Sequence, residues 1–429
     1  MRAMLGQCLQ SCLSIVPILG GPWIAALLSS TRIKNSQYDP SLNLDTAMCG
    51  AKEVDPSRIS LPEQGLDPRN HLSGQRLQQF LAMPAKIPQA CSFTKDKPAC
   101  HKVDPERWPS LLRKLHDADM ITFLPKKDVL AEGRKNIKGG LFCVPHKPES
   151  DRLINERRPL NARERRLEWC QLPAGPMLSQ LILSKTESVR ASGDDLSKYF
   201  YLIKHLDEWQ HRNCFREPVK GKLMPGLGLN PNEWYLPAFK VVCVGDTNGL
   251  DLAQATHEAI LREVGCLHPS QTLVYGNVLP SSNILEGLYI DDHLAFQVWD
   301  KKTYRDRGKQ EDEVITSKAR QHYQHLGLPR SAKKAFDKEY SFKAWGTSVD
   351  SNTGQVSSPI EKLRQIEVLT LTLLKHGLAS KKALQKLVGL YVHPFLHRRE
   401  CMCVFRHVYQ YMDHLPDQHR IPQHIRDEL

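Results

Sequence analysis

A chain of 429 residues, with 41% apolar and 25% charged residues, has room for two or three domains and the composition of a folded globular protein. These values exclude a disulfide-stapled mini-protein and an intrinsically disordered chain. The 59 Lys and Arg residues exceed the 47 Asp and Glu residues, so the net charge of +12 favours a polyanionic partner, nucleic acid first and an anionic membrane second.

The N-terminal quarter of the chain carries little periodic pattern. Residues 11–30 are uncharged and mostly apolar, but Pro17 and Pro22 would break a membrane-spanning helix. We therefore expect no stable membrane association, and a signal peptide is disfavoured but left open. Residues 1–105 are predicted to be an irregular lead-in, with disorder left open, and order is expected to begin near Trp108. The 12 cysteines lie scattered without zinc-finger spacing, which indicates reduced thiols in an intracellular protein of the nucleus or cytoplasm.

The middle of the chain alternates between strand and helix patterns. Leucines at helical spacing predict a helix directly after Trp108. Residues 139–161 predict a strand, a polar turn and a second strand, and residues 192–203 predict a further strand. Residues 250–265 predict a helix whose apolar residues share one face and which ends at Gly265.

Two more strands, 284–290 and 293–299, are joined through Asp291 and Asp292, and the second is predicted to be half-buried because its apolar residues alternate. The side chain of His293, directly after the turn, is expected to point toward solvent.

The last part of the chain is predicted to be mostly helical. A helix with its apolar stripe at positions 315–326 should end at Gly327. A short strand is expected over 343–349. Beyond Ser358 the spacing is helical, with Ser380 as an N-cap. The order of elements is therefore mixed α and β in the middle and α at the end.

The carboxylates carry the functional argument. Asp291 and Asp292 lie at a predicted hairpin turn between apolar strands, and Asp195 lies in another predicted strand with apolar surroundings. If Asp195 joins the pair, each like-charge contact at ~4 Å costs about 4 kcal/mol at an effective dielectric of 20. Such a cluster is tolerable mainly around a divalent cation, and carboxylate oxygens suit Mg²⁺ or Mn²⁺. With the basic net charge, this pattern points to phosphoryl transfer on nucleic acid by two metal ions.

At this point the order of motifs resembles that of the reverse transcriptases of retroelements, from about Trp108 to Tyr411, and a divergent eukaryotic branch more than the retroviral enzymes. Tyr289-Ile290-Asp291-Asp292 is similar to the family's YxDD box. Asp195, with the aromatic Phe200 five residues on, is similar to the strand that carries the first catalytic aspartate. This register selects Asp195 over Asp194.

The resemblance implies roles for these residues. Asp195, Asp291 and Asp292 would be catalytic and would bind two Mg²⁺ or Mn²⁺ ions, with the Leu196 carbonyl as an extra ligand. Phe200 would close the sugar pocket against a 2′-hydroxyl, and Tyr289 would belong to the substrate site.

Further residues match the family outside the aspartate motifs. Lys147 and Arg152 would contact the incoming triphosphate, and Lys334 would give a proton to the leaving pyrophosphate, with Lys333 as the alternative. Gly245 aligns with the glycine of a Pro-Gln-Gly-like turn, but the glutamine is missing here, which puts the template contacts of that turn in doubt. Trp345-Gly346 is similar to the primer-grip hairpin.

The resemblance implies an α+β right-hand polymerase fold. It would comprise fingers over 106–170, a palm with an antiparallel sheet over 171–350, and a helical thumb over 351–429. The implied activity is RNA-directed DNA synthesis from deoxynucleoside triphosphates on an RNA template with a DNA primer. A domesticated or decayed copy that binds nucleic acid without catalysis, and an RNA-dependent RNA polymerase, stay open as alternatives. The sequence leaves the oligomeric state open, as well as whether the chain is a piece of a longer polyprotein.

Overall fold

The computed structural model describes residues 51–63, 65–83, 99–129, 131–132, 135–215, 217–300, 310–414 and 419–429. The apolar run at 11–30 lies outside the described residues. Within the described ranges, no helix combines the length and the apolar character needed to cross a bilayer. The chain forms two compact units. The larger holds the described residues up to Trp345 together with Asp350–Thr353, and the smaller holds Gly346–Val349 and Gly354–Leu429.

The α-helices are, in chain order, α1 (Gly74–Leu81), α2 (Trp108–Asp117), α3 (Arg158–Asn161), α4 (Tyr199–Leu202), α5 (Gly249–Glu263), α6 (Glu311–His325), α7 (Ile360–His376), α8 (Lys381–Phe395), α9 (Arg406–His414) and α10 (Gln423–Glu428). Short 3₁₀ helices span Pro56–Arg58, Pro68–Asn70, Lys126–Asp128, Gly175–Gln180, Asp207–Arg212, Gly221–Leu223 and Arg399–Phe405.

The strands are β1 (Ile121–Pro125), β2 (Ala131–Glu132), β3 (Lys135–Asn136), β4 (Gly140–Lys147), β5 (Ser150–Glu156), β6 (Glu187–Asp195), β7 (Val219–Lys220), β8 (Trp234–Phe239), β9 (Ile284–Tyr289), β10 (Asp292–Asp300), β11 (Phe336–Glu339), β12 (Ser341–Ala344), β13 (Thr347–Asp350), β14 (Gln355–Ser357), β15 (Leu378–Ala379) and β16 (His419–Arg420).

The central sheet of the larger unit is antiparallel and has the order β11-β6-β10-β9. Helices α5 and α6 pack on it, and their apolar residues join those of α4 in one core that includes Leu252, Leu261 and Tyr323. A second core forms where α2 meets β1, β4, β5 and β8, and it includes Leu111, Leu112 and Leu115, as the helical spacing predicts. The larger unit therefore has a mixed architecture of helices and antiparallel sheets.

Glycines and a serine end or begin the helices as predicted. Gly265 and Gly327 follow α5 and α6 with φ of 75° and 68°, in the left-handed region that a helix C-terminus favours. The Ser380 hydroxyl accepts a hydrogen bond of 3.2 Å from the Ala383 amide at the start of α8. In the smaller unit, helices α7 to α10 share one core of residues such as Leu387 and Val408.

Three expectations on secondary structure were wrong. Ordered structure begins before Trp108, because residues 74–81 form helix α1 and its Phe80 is buried in the α4–α5 core. The strand over 192–203 ends at Asp195, and 199–202 is the helical turn α4. The segment 343–349 belongs to two strands, β12 and β13, separated by Trp345 and Gly346, which both have positive φ.

The described residues before Trp108 are held by contacts with residues distant in sequence. The Leu66 amide donates a hydrogen bond to the Leu202 carbonyl, and the Leu66 carbonyl accepts one from the Lys204 amide. Such contacts do not depend on the spacing of apolar residues along the chain, so the sequence of this segment carries little pattern from which its structure could be predicted.

Candidate active site

The central sheet brings three carboxylates to one end. Asp195 is the last residue of β6, and Asp292 is the first residue of β10 and its direct partner in the antiparallel register. Asp291 lies in the turn that joins β9 to β10, and its carbonyl accepts a 3.0 Å hydrogen bond from the Leu196 amide. The hairpin is therefore fastened to the strand end that carries Asp195.

The three aspartates form a cluster in which one carboxylate oxygen from each lies within 4.8 Å of the others. Burial, followed by the negative charge of Asp195, raises the pKa of Asp291. Burial, together with a hydrogen bond to Asp195 and the charge of Asp291, raises the pKa of Asp292 to about 7. Three hard oxygen donors that repel one another fit a divalent cation, so this triad could bind metal.

Asp194 precedes Asp195 but has a different environment. Its carboxylate, whose side chain is 2% exposed, accepts a 2.6 Å hydrogen bond from Arg320 Nε and a 2.8 Å hydrogen bond from Arg330 Nε. Two guanidinium groups therefore neutralise Asp194 within the fold. Asp195, and not Asp194, is the residue that lies with Asp291 and Asp292.

Lys334 reaches the carboxylate cluster from the loop after α6. Its Nζ lies 2.5 Å from Asp195 Oδ1, and 61% of its side chain is exposed. Burial opposes the charge, but the hydrogen bond to Asp195 and the charges of Asp292 and Asp291 raise the pKa of Lys334. The amine is therefore held protonated beside the carboxylates while it stays open to solvent.

A basic residue of the β4–β5 hairpin acts electrostatically on the carboxylate cluster. Lys147 and Arg152 are exposed, and Arg152 faces Val144 across the hairpin. The charge of Arg152 acts on Asp291 to lower its pKa, against the larger effects that raise it. Burial, and then the charges of Arg152, Lys147 and Lys334, lower the pKa of His146. Three cations, one of them the Lys334 that pairs with Asp195, therefore lie close enough to influence one residue of this hairpin.

Two aromatic residues flank the aspartates along the chain. Phe200 lies in α4 and is partly buried against the α4–α5 core. A Cβ built on Gly249, the first residue of α5, would lie 3.5 Å from the Phe200 ring. Tyr289 ends β9 directly opposite Asp292 and is 36% exposed. The role of each of these residues toward a substrate stays a prediction.

Gly245 occupies a position that only glycine fits. Its φ is 118°, and a Cβ there would lie 2.1 Å from the carbonyl oxygen of Asn155 at the end of β5. Its own carbonyl accepts a 2.8 Å hydrogen bond from Asn161. The loop therefore runs against the β5–α3 segment without any side chain between the two backbones.

The residue after Gly245 forms a buried ion pair. Asp246 lies 2.6 Å from Arg157 and 3.2 Å from His205, and all three side chains are 1–2% exposed. Burial opposes ionisation, but the charge of Arg157, the interactions with His205 and the hydrogen bond from the Asn248 amide together hold the pKa of Asp246 well below its usual value. The charge of Asp246 therefore ties this loop to Arg157, the residue directly after β5.

His293 corrects two of our expectations. Its ring is buried, and Nε2 lies 3.1 Å from Glu286 Oε2, where both side chains are 1% exposed. The burial continues through residues 293–297, so this part of β10 is covered on both faces and not half-buried. The reason is that α6 covers the face that alternation alone assigns to solvent.

Sequence reasoning missed a set of buried polar side chains below the turn. Gln254 and His257 of α5 hydrogen-bond the backbone of Ile290, and Tyr323 of α6 hydrogen-bonds His257. One signal was present in the sequence: Gln254 and His257 are three residues apart and therefore share a face of helix α5, and the structure shows that this face is buried. Polar residues on a buried helix face need a partner, and here the partner is the turn.

No family model matches the chain, and no curated protein matches it either. Among solved structures, the chain is similar to a foamy viral protease-reverse transcriptase in complex with double-stranded DNA. That match has a TM-score of 0.51 at 13% identity and covers 98% of this chain and 68% of the other. It is also similar to the foamy viral protease-reverse transcriptase dRH in complex with double-stranded DNA, with a TM-score of 0.50 at 12% identity. That second match covers 92% of this chain, which spans 61% of the length of the other. The chain thus has a reverse-transcriptase-like fold.

Proposed function

We propose that this protein is an RNA-directed DNA polymerase of a retrotransposon-like element. The observation that carries the proposal is the convergence of Asp195, Asp291 and Asp292 within 4.8 Å at one end of an antiparallel sheet. The net charge of +12 and the likeness to reverse transcriptases solved with double-stranded DNA support a nucleic-acid partner, which we assign as an RNA template with a DNA primer.

The fold divides in a way that supports a right-hand arrangement. We assign fingers to 106–170, a palm to 171–350 and a thumb to 351–429. The boundary between the two compact units falls between Trp345 and Gly354, close to the proposed end of the palm. The smaller unit is mainly helical, as a thumb would be.

The carboxylate triad has the donor chemistry for two Mg²⁺ or Mn²⁺ ions, with the Leu196 carbonyl as a proposed extra ligand. When bound, such ions lower the pKa of an attacking 3′-hydroxyl and stabilise the charge on the departing pyrophosphate. Bound cations would relieve the repulsion that remains among the aspartates beside the Lys334–Asp195 ion pair, which is why such a cluster would persist in a polymerase.

The remaining residues bind and orient the nucleotide in our proposal. Arg152 binds the triphosphate through its planar fork, and Lys147 adds a point charge. The 3′-hydroxyl gives its proton to solvent, and as its oxygen bonds to the α-phosphorus, the bond from that phosphorus to the bridging oxygen of pyrophosphate breaks. Lys334 holds a proton at Nζ and gives it to that oxygen.

Three further residues shape the substrate site. Phe200 closes the sugar pocket, so that a 2′-hydroxyl is rejected and deoxynucleotides are preferred. Tyr289 flanks Asp292, and Gly245 keeps its loop close to the template side of the nucleotide.

The test is primer extension by the purified chain on an RNA template with a DNA primer, single deoxynucleoside triphosphates and Mg²⁺. Template-directed addition of the complementary nucleotide, with release of pyrophosphate, is the expected result. Ribonucleotide incorporation at an equal rate would instead favour an RNA polymerase. Salt-sensitive binding of the primer–template without extension would favour a copy that has lost catalysis.

A further inference from the structure

The turn between β9 and β10 contains a backbone conformation that needs support. Ile290 has a φ of 59°, in the left-handed region that a β-branched side chain rarely adopts. Such a residue persists only where its surroundings hold it. Ile290 directly precedes Asp291, so its peptide sets the direction from which both turn carboxylates leave the backbone.

Helix α5 holds both polar atoms of Ile290. The amide donates a 2.8 Å hydrogen bond to Gln254 Oε1, and the carbonyl lies 2.7 Å from His257 Nδ1. The amide group of Gln254 also donates to the Leu288 carbonyl at 2.9 Å. Both α5 side chains are almost fully buried, with 2% and 0% exposure.

The partners of His257 determine its tautomer. A carbonyl only accepts, so Nδ1 must carry the hydrogen that goes to Ile290. Nε2 is then the acceptor, and the Tyr323 hydroxyl lies 2.8 Å from it and donates. Burial lowers the pKa of His257 to about 3 and raises the pKa of Tyr323, which keeps the ring neutral and the phenol protonated. A chain of donors thus runs from α6 through α5 to the turn.

We infer that Gln254 and His257, with Tyr323 behind His257, are positioning residues that fix the Ile290 peptide and thereby the placement of Asp291 and Asp292. The inference rests on the proposed metal-dependent function of these aspartates. Groups that orient metal ligands from behind typically change metal affinity or activity by about 10–100-fold when they are removed.

A matched pair at position 257 tests the hydrogen bond itself. In His257→Asn the side-chain nitrogen can replace Nδ1 and still donate to Ile290. In His257→Gln it can replace Nε2 and reach Tyr323, so the bond to the turn is lost. We expect His257→Gln to bind Mn²⁺ about tenfold or more weakly by electron paramagnetic resonance, and to lose kcat with an unchanged KM for primer–template. His257→Asn should stay within about threefold of the unmodified protein, because the donor is restored.

A second pair covers the case in which position 257 does not tolerate substitution. Tyr323→Phe removes the hydroxyl that fixes the tautomer, whereas Thr316→Val removes a buried hydroxyl of the same helix that contacts only carbonyls of α6. Of these two variants, we expect only Tyr323→Phe to weaken Mn²⁺ binding and to lower kcat. Equal Mn²⁺ affinity in all variants, or losses that follow the melting temperature only, would overturn the positioning role. An unmodified protein that binds Mn²⁺ but does not extend primers would overturn the polymerase proposal. The Mn²⁺ affinities of the variants would still decide whether Gln254, His257 and Tyr323 are positioning residues.

Discussion

Asp292 lies directly opposite Asp195 where β10 pairs with β6, so two carboxylates face each other at the end of a sheet and a third, Asp291, follows in the turn. Lys334 pairs with Asp195 and offsets part of this repulsion, whereas Arg320 and Arg330 both pair with Asp194, one residue earlier. An arrangement that opposes folding in the isolated chain is reasonable where a cation is to bind.

The first prediction concerns the pH dependence of stability. The pKa of Asp292 is about 7 in the folded protein, against an ordinary value of 3.8. The folded state therefore holds this proton more tightly than the unfolded chain, and its contribution to stability falls as the pH rises through that window. In metal-free buffer, the melting temperature of Asp292→Asn minus that of the unmodified protein should increase between about pH 5 and pH 8.

Divalent cations provide the control for this prediction. Mg²⁺ or Mn²⁺ should raise the melting temperature of the unmodified protein more at the alkaline end, where the carboxylates are ionised. The same addition should have little effect on Asp292→Asn. Parallel melting curves for the two proteins across the pH range would contradict the account of Asp292.

The second prediction separates two neighbouring lysines. Lys334 pairs with Asp195, whereas Lys333 is exposed on the same loop. Lys334→Ala should lower kcat by about 10²-fold, because a positioned proton donor contributes at least that much. Lys333→Ala should extend primers at the normal rate in the same assay. The reverse order would exchange the roles of the two residues.

The third prediction concerns the loop at Gly245. Gly245→Ala should reduce the free energy of unfolding by about 3 kcal/mol, because the new Cβ meets the Asn155 carbonyl and φ stays positive. Gly226→Ala is the matched control: its φ is 85°, and a Cβ there has no neighbour within 4 Å. It should cost only about 1 kcal/mol in urea denaturation. Equal losses would mean that the Asn155 contact relaxes freely.

The fourth prediction tests the sugar pocket. Phe200→Val should raise the kcat/KM ratio of ribonucleotide to deoxynucleotide by about tenfold or more, since the smaller side chain leaves room for a 2′-hydroxyl. Phe123→Val, in β1 and also partly buried, should leave this ratio unchanged. An unaltered ratio in Phe200→Val would assign Phe200 to packing alone.

Local patterns in the sequence predicted what depends on neighbours along the chain. The β9–β10 hairpin and helices α5 and α6 follow from spacing within short segments, whereas the choice of Asp195 over Asp194 came from the resemblance to reverse transcriptases. Asp291 and Asp292 were recognisable because their turn separates two apolar strands.

The environment of each side chain could not be predicted, because it depends on elements distant in sequence. His293 was expected in solvent, but it is covered and meets Glu286 across the hairpin. The partners of Asp194 come from α6 and the loop after it, more than a hundred residues away. The support of Ile290 by α5 is of the same kind, since it needs the helix to lie under the turn.

The most direct test of the central claim is Mg²⁺-dependent extension of oligo(dT) on poly(rA) with dTTP, by the unmodified protein, Asp291→Asn and Asp117→Asn. Asp117 ends α2 with 64% of its side chain exposed, so its substitution controls for the loss of one carboxylate. We predict normal extension by Asp117→Asn and a loss of at least about 10³-fold in Asp291→Asn, with both proteins folded. Extension by Asp291→Asn at the unmodified rate would contradict the assignment of these aspartates as the catalytic metal site.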